Sequence, residues 1–287
     1  MALLLRAIGA ATALALANPA AAGTVQERIY PAPKAPLSLA GLPPTARMIS
    51  VETADGLTLA GIAIAPRGGM PTLLVLHGNG SSAADALRWL EPLAARGYGI
   101  VAAEYRGYSG NPGKPGEAGL AADGEAFLDY AAARRGAGPL WVLGHSLGAG
   151  VAFDLATRHK LDALITIGAF TRLRAAAPKL ARAFVPNDYD NLGAVPRLDE
   201  PYFLIHGLAD DTIASSEGEK LHSAAGAAGK SGASFAIVGA GHRPDAAQIA
   251  AILETIAGWF ATGRLSAAGL PAEVKAIPFG QQRPINP

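Results

Sequence analysis

From position 48 onward, short apolar runs alternate with longer stretches in which apolar residues return at helical spacing. The first two runs, 48–53 and 57–65, are joined across Asp55-Gly56, a turn signal, and predict an antiparallel hairpin at a sheet edge. After a loop at 66–71, the run at 72–77, apolar from Leu73 to Leu76, predicts a short buried strand. The same pattern then predicts helix 82–96, strand 99–104, helix 117–135, strand 140–143, helix 147–159 and strand 163–168. An irregular stretch follows, then strand 202–206, helix 216–228, strand 234–238 and helix 245–260. Such alternation predicts an α/β fold: a mostly parallel sheet of about eight strands with helices on both faces.

The two ends read differently. Arg6 precedes an apolar run at 7–17, Asn18-Pro19 interrupts it, and Ala20-Ala21-Ala22-Gly23 follows, the layout of a secretory signal cleaved after Ala22. Export to the periplasm or the outside is therefore expected, with no stable membrane insertion once the signal is removed; an uncleaved leader would instead be an N-terminal membrane anchor. Residues 23–44 carry Pro31, Pro33, Pro36, Pro43 and Pro44 without sustained periodicity, which predicts an extended lead-in over the surface. The folded domain is expected over 45–261. A tail at 262–287, with Pro271, Pro278, Pro284 and Pro287, is expected to pack loosely or not at all.

With 287 residues, half of them hydrophobic, the chain suits one sizeable α/β domain. A net charge of +1 supplies no basic field, so nucleic acid is not an expected partner. The absence of cysteine excludes disulfides, a thiolate nucleophile and Cys-based metal sites. No cofactor and no metal are expected, and the oligomeric state is left open.

The run at 140–143 ends in Gly144-His145-Ser146-Leu147-Gly148, and a small-residue helical pattern starts at once. Glycines two positions either side of Ser146 allow a turn sharp enough to hold a serine in a strained conformation above a sheet, beside the N–H groups of a helix start. A serine hydroxyl attacks only when a base removes its proton and an acid orients that base. Downstream, His206-Gly207-Leu208-Ala209-Asp210-Asp211 follows one strand and Gly239-Ala240-Gly241-His242 follows the next. Loops leaving the carboxyl ends of parallel strands converge on one edge, so Ser146, His242 and an aspartate can meet there. Asp210 is the expected acid and adjacent Asp211 the alternative.

Strand, G-x-S-x-G, helix, then Asp and His: this order resembles the α/β-hydrolase superfamily over roughly 48–260. His77-Gly78-Asn79-Gly80 resembles its oxyanion loop, and Glu104-Tyr105-Arg106-Gly107-Tyr108-Ser109 resembles a segment of the small abhydrolase-domain serine hydrolases, an esterase- and thioesterase-like branch. The resemblance implies Ser146 as nucleophile, Asp210 as acid through H-G-x-x-D counted from His206, His242 as base, and the backbone N–H groups of Asn79 and Leu147 as oxyanion donors. It also implies hydrolysis of carboxylic esters or thioesters through an acyl-serine intermediate. A short cap at about 170–199 is expected to leave the site open to small or medium acyl substrates. Glu104 and Ala214 depart from the branch, which usually has Asp and Pro there.

Two other readings fit parts of the chain. One is a catalytically inactive binding protein on the same fold. The other is a dinucleotide-binding oxidoreductase using Gly78-Asn79-Gly80, with Glu104 at the position of a ribose-binding acid. His77, His145 and His206 are expected to hydrogen-bond loops. Within the cap, 171–184 places Arg172, Arg174, Lys179 and Arg182 among Leu173, Leu180 and Phe184, an amphipathic pattern.

Overall fold

A computed structural model describes residues 29–176 and 189–280. Among these the alternating pattern forms one sheet of nine strands: β1 Arg47–Glu52, β2 Thr58–Ile64, β3 Thr72–Leu76, β4 Gly99–Ala102, β5 Leu140–His145, β6 Ala163–Ile167, β7 Tyr202–Gly207, β8 Gly232–Ile237 and β9 Val274–Pro278. The spatial order is β1-β2-β4-β3-β5-β6-β7-β8-β9. The six strands from β4 to β8 run parallel, while β1, β2 and β9 pair antiparallel at the edges.

Period-two alternation sorts the central side chains into two layers. Leu74, Leu76, Val142, Leu164 and Leu204 face helices α3 Glu117–Arg134, α4 Leu147–Arg158 and α7 Ser215–Ala227. Leu73, Val75, Trp141, Leu143, Ile165 and Phe203 face α1 Ala83–Trp89 and α8 Ala246–Thr262. Because both faces are covered, β3 and β6 are buried along their whole length, which explains why their sequences are apolar but for one threonine each.

The predicted helix over 82–96 is divided into α1 and α2 Glu91–Ala95, joined at Leu90. Pro92 is the cause: it lacks an N–H and its ring clashes with the preceding turn, so it is accommodated at the start of a new helix. The tail corrects a second expectation. Its residues 274–278 form the ninth strand, and Phe279, 5% exposed, stacks on Tyr202 with ring centroids 5.4 Å apart. Flanking prolines masked this strand, yet proline is tolerated at a sheet edge. The lead-in runs over the surface without regular structure, anchored by Tyr30, only 5% exposed.

The leader at 1–22 lies outside the described residues, as do cap positions 177–188, including Lys179, Leu180, Arg182 and Phe184. The described parts of the cap are α5 Leu173–Ala176, α6 Asn191–Ala194 and a 3-10 turn at Val195–Arg197.

The turn between β5 and α4 depends on backbone contacts that only glycine allows. A Cβ on Gly144 would lie 2.4 Å from the carbonyl oxygen of Gly148, and one on Gly148 would lie 2.0 Å from that of Leu76. Gly148→Ala is therefore expected to cost at least about 1–3 kcal/mol through overpacking. Gly258→Ala, on the exposed side of α8 with nothing within 4 Å, is expected to gain about 0.5–1 kcal/mol. Denaturant melts of both variants check the pair, and equal effects would contradict the packing argument.

Candidate active site

The carboxyl ends of β3, β5, β6, β7 and β8 bring the chemistry-bearing residues to one edge. Ser146 is the N-cap of α4 and has φ 54° and ψ −118°, one of three non-glycine residues with positive φ among those described. Such a conformation is sparsely populated and persists only where the surroundings over-determine it. Here the surroundings are the Gly144–Gly148 contact and a hydrogen bond from the Ser146 N–H to the carbonyl of Ile167, 2.9 Å away at the end of β6.

Gly168 continues from Ile167, and a Cβ there would stand 3.0 Å from His242 Nδ1 and 3.4 Å from Asp210 Oδ2. Ser146, His242 and Asp210 thus converge on the corner at the end of β6. His242 Nδ1 donates to Asp210 Oδ2 at 2.7 Å, leaving Nε2 as the ring's proton-accepting nitrogen. The Ser146 hydroxyl has no hydrogen-bond partner among the described residues. Without substrate, such contacts are commonly long and tighten on binding.

Asp210 is buried, and Asp211 is exposed with one long contact to Thr212 Oγ1 at 3.4 Å. The other oxygen of Asp210, Oδ1, accepts the N–H groups of Thr212 and Ile213, both at 2.8 Å. Burial opposes its ionisation, but the hydrogen bond from His242, the charge of that ring and the two backbone donors prevail and hold the carboxyl below its ordinary value. The loops are also joined directly. A Cβ on Gly207 would lie 2.3 Å from the carbonyl of Gly241, and Ala209 N–H donates to the carbonyl of Ala240 at 2.9 Å.

The oxyanion loop lies against the serine: a Cβ on Gly78 would lie 3.1 Å from that of Ser146. Leu147 is the first residue of α4, where backbone N–H groups have no partner within the helix. Asn79 follows Gly78, and its side chain is engaged at both ends, Oδ1 by the Tyr108 hydroxyl at 2.8 Å and Nδ2 by the carbonyl of Ile29. Beneath the loop, His77 Nε2 lies 3.0 Å from Glu104 Oε1, while Glu104 Oε2 accepts the Ala83 N–H at 2.9 Å. Glu104 is fully buried and both its oxygens are taken, so it is not open to a ribose as the dinucleotide reading requires. At Ala214 the backbone has φ −56°, a value proline also adopts, so this departure leaves the turn unchanged.

The three strand-end histidines do bond loops: His77 through the Gly78 carbonyl, His206 through that of Ile213 at 3.0 Å and His145 through that of His242 at 3.0 Å. Burial first, then the neighbouring His242 ring, pulls the His145 pKa down to about 3, so it is neutral and its Nε2–H donates to that carbonyl. Sequence reasoning missed the partners of this loop on α1. Trp89 Nε1–H donates to the carbonyl of Pro244 at 2.9 Å, its ring meets His145 edge-on at 5.1 Å, and the Arg243 guanidinium lies over it at 4.9 Å. No local signal marks a tryptophan that far away in sequence as a support for the base loop.

The model for the serine aminopeptidase S33 family matches residues 70–188. Uncharacterized protein Rv2307c of Mycobacterium tuberculosis is 31% identical over 63% of this chain and 68% of that protein. The lysophosphatidylserine lipase ABHD12 of Xenopus tropicalis is 29% identical over 54% of the chain and 47% of its own length. Among solved structures, TT1662 from Thermus thermophilus superposes with a TM-score of 0.60 at 23% identity, covering 75% of this chain and 98% of that one. The esterase Pf2001 of Pyrococcus furiosus gives 0.58 at 18% identity, over 81% and 95%. Fold and sequence together define a hydrolase. The chain belongs to the α/β-hydrolase superfamily.

Two predictions follow from this geometry. Asp210→Asn is expected to lower kcat by about 10⁴, because an amide favours the wrong imidazole tautomer and removes the balancing charge; Asp211→Asn is expected to lose less than about tenfold. Steady-state kinetics on both, with melts to verify folding, decide which carboxylate serves the histidine. His145, with its folded pKa of about 3 below the ordinary 6.5, contributes stability that is full above pH 6.5 and lost as pH falls toward 3. His145→Gln, which does not titrate, is expected to lose less Tm than the parent between pH 7 and 4.5, and an equal loss would refute the neutral-ring assignment.

Proposed function

We propose that the protein is a serine hydrolase that cleaves carboxylic ester or thioester bonds through an acyl-serine intermediate. The observation that carries this reading is the convergence of a strained Ser146 and the 2.7 Å His242–Asp210 pair on one corner of the sheet. His242 Nε2 takes the Ser146 proton as Oγ attacks the acyl carbon, and Asp210 stabilises the imidazolium that forms. Negative charge then develops on the carbonyl oxygen, facing the backbone N–H groups of Asn79 and Leu147, preorganised donors that need no rearrangement at that moment. The tetrahedral intermediate collapses, the C–O or C–S bond breaks, and the leaving alcohol or thiol takes the proton from His242. Water repeats the sequence on the acyl-serine and releases the acid.

A cap of only about 30 residues, 170–199, favours small or medium acyl substrates over a deeply enclosed lipid. Arg172 in this region pairs with Asp190 at 2.5 Å. A lysophospholipid ester, the substrate class in the name of the ABHD12 relatives, falls within the proposed chemistry. The leader at 1–22 directs export in this reading.

Ser146→Ala is expected to lower kcat by about 10⁴–10⁶ with folding intact. His242→Ala should match it within about tenfold, and the double variant should be little worse, since residues acting as one unit are non-additive. A p-nitrophenyl ester chain-length series run beside acyl thioesters reads the loss and ranks the substrates, and fluorophosphonate labelling should occur in the parent and be absent from Ser146→Ala. Turnover by the alanine variant comparable to the parent would overturn the serine mechanism.

A further inference from the structure

The lead-in that runs over the surface is also bonded to the candidate oxyanion loop. The carbonyl of Ile29 accepts from Asn79 Nδ2, and a Cβ on Gly80 would lie 3.7 Å from Pro31. Four residues on from Ile29, the carbonyl of Pro33 accepts the Ser109 N–H at 2.8 Å, and the Leu37 N–H donates back to the Ser109 carbonyl at 3.0 Å. These two bonds bracket a residue in an unfavourable backbone state, since Ser109 has φ 47°. The neighbouring Tyr108 reaches Asn79 from the other side, its hydroxyl donating to Oδ1 at 2.8 Å. Burial first, then nearby Tyr30, raises the Tyr108 pKa, so the hydroxyl keeps its proton and remains a donor.

We propose that residues 29–37 act as a positioning strap for the oxyanion loop, holding the Asn79 side chain through the carbonyl of Ile29 directly and through Tyr108-Ser109 indirectly, so that the Asn79 peptide presents its N–H to the acyl oxygen. An Asn side chain fixed at both ends cannot swing toward substrate, and its backbone loses the freedom that would let the N–H turn away. The strap touches no reacting atom. Its effect is therefore specific to the state in which charge sits on the acyl oxygen, where a small misplacement of a donor can cost about a hundredfold in rate. This inference rests on the serine-hydrolase reading.

The test uses the full chain and two readouts that a merely structural role would not move together: the division of effect between kcat and KM, and the affinity for an acyl trifluoromethyl ketone. That ketone adds the serine oxygen and places an oxyanion in the hole, so its binding reports the donors. Tyr108→Phe, which removes one bond to Asn79, is expected to lower kcat by about ten- to hundredfold with KM within about threefold, and to weaken the ketone by the same factor. Leu37→Pro deletes the donor to Ser109 without touching the oxyanion loop and should act in the same direction, by a smaller factor, whereas Leu37→Ala keeps that N–H and should fall between the parent and the proline variant. Melts verify folding, and should Tyr108→Phe fail to fold, the two Leu37 variants still decide. Unchanged kcat and ketone affinity in Tyr108→Phe and Leu37→Pro, with Ser146→Ala inactive, would overturn the strap alone. Turnover by Ser146→Ala would overturn the serine mechanism and the strap with it.

Discussion

The close approach of α4 to the end of β3 is the contact on which the rest of the edge depends. The Cα of Gly148 lies so near the carbonyl of Leu76 that no side chain fits between them, and the Gly144–Gly148 contact draws strand and helix together on the other side. Two backbones at this distance leave the chain only a sharp corner, and the residue at that corner takes φ 54°. Relaxing either glycine would let Ser146 return to an ordinary conformation and would lift the helix start away from the loop at 77–79. The strain at Ser146 is thus held by packing at the two glycines together with the bond from its own N–H to the Ile167 carbonyl.

Around that corner, buried polar side chains fix loops that apolar packing alone would leave free. Glu104 joins His77 under the oxyanion loop to the first residue of α1. Arg106 bridges fully buried Asp123 on α3 and the hairpin residue Asp55, at 2.7 and 2.6 Å. Glu217 on α7 accepts both the N–H and the hydroxyl of Thr171, where the cap leaves the sheet. Removing one partner of the buried Arg106–Asp123 pair strands the other charge away from water. Each therefore acts as a directional tie between elements, and each tie lies beneath a loop that reaches the candidate site.

Local pattern was informative where one element is buried in a uniform way. The apolar run of β3 and the G-x-S-x-G that ends β5 were legible because burial on both faces and a steric requirement for glycine each leave a mark within a few residues. The division of α1 from α2 is marked in the sequence by Pro92, but the apolar spacing around it continues at helical period on both sides. Strand β9 was hidden because an edge strand needs only one bonded neighbour and tolerates the prolines that otherwise signal irregular chain. The bonds of the lead-in were hidden for a related reason: they are made by backbone carbonyls and N–H groups, which every residue carries and no sequence pattern reveals.

By itself the sequence determined the α/β class, the order of the elements, and the serine, histidine and aspartate that the parallel topology carries to one edge. For the acid it favoured Asp210, by the count from His206, over adjacent Asp211, but neighbouring side chains in a loop point in different directions that composition does not encode. Tertiary structure buries Asp210 against His242 and leaves Asp211 exposed. It alone brought Trp89 against the base loop and residues 29–37 against Asn79, since these contacts join segments far apart in the chain. The physical reason is common to all three: a residue's local preferences are written in its neighbours along the chain, while its orientation and distant partners follow from how two cores close on either side of a single sheet.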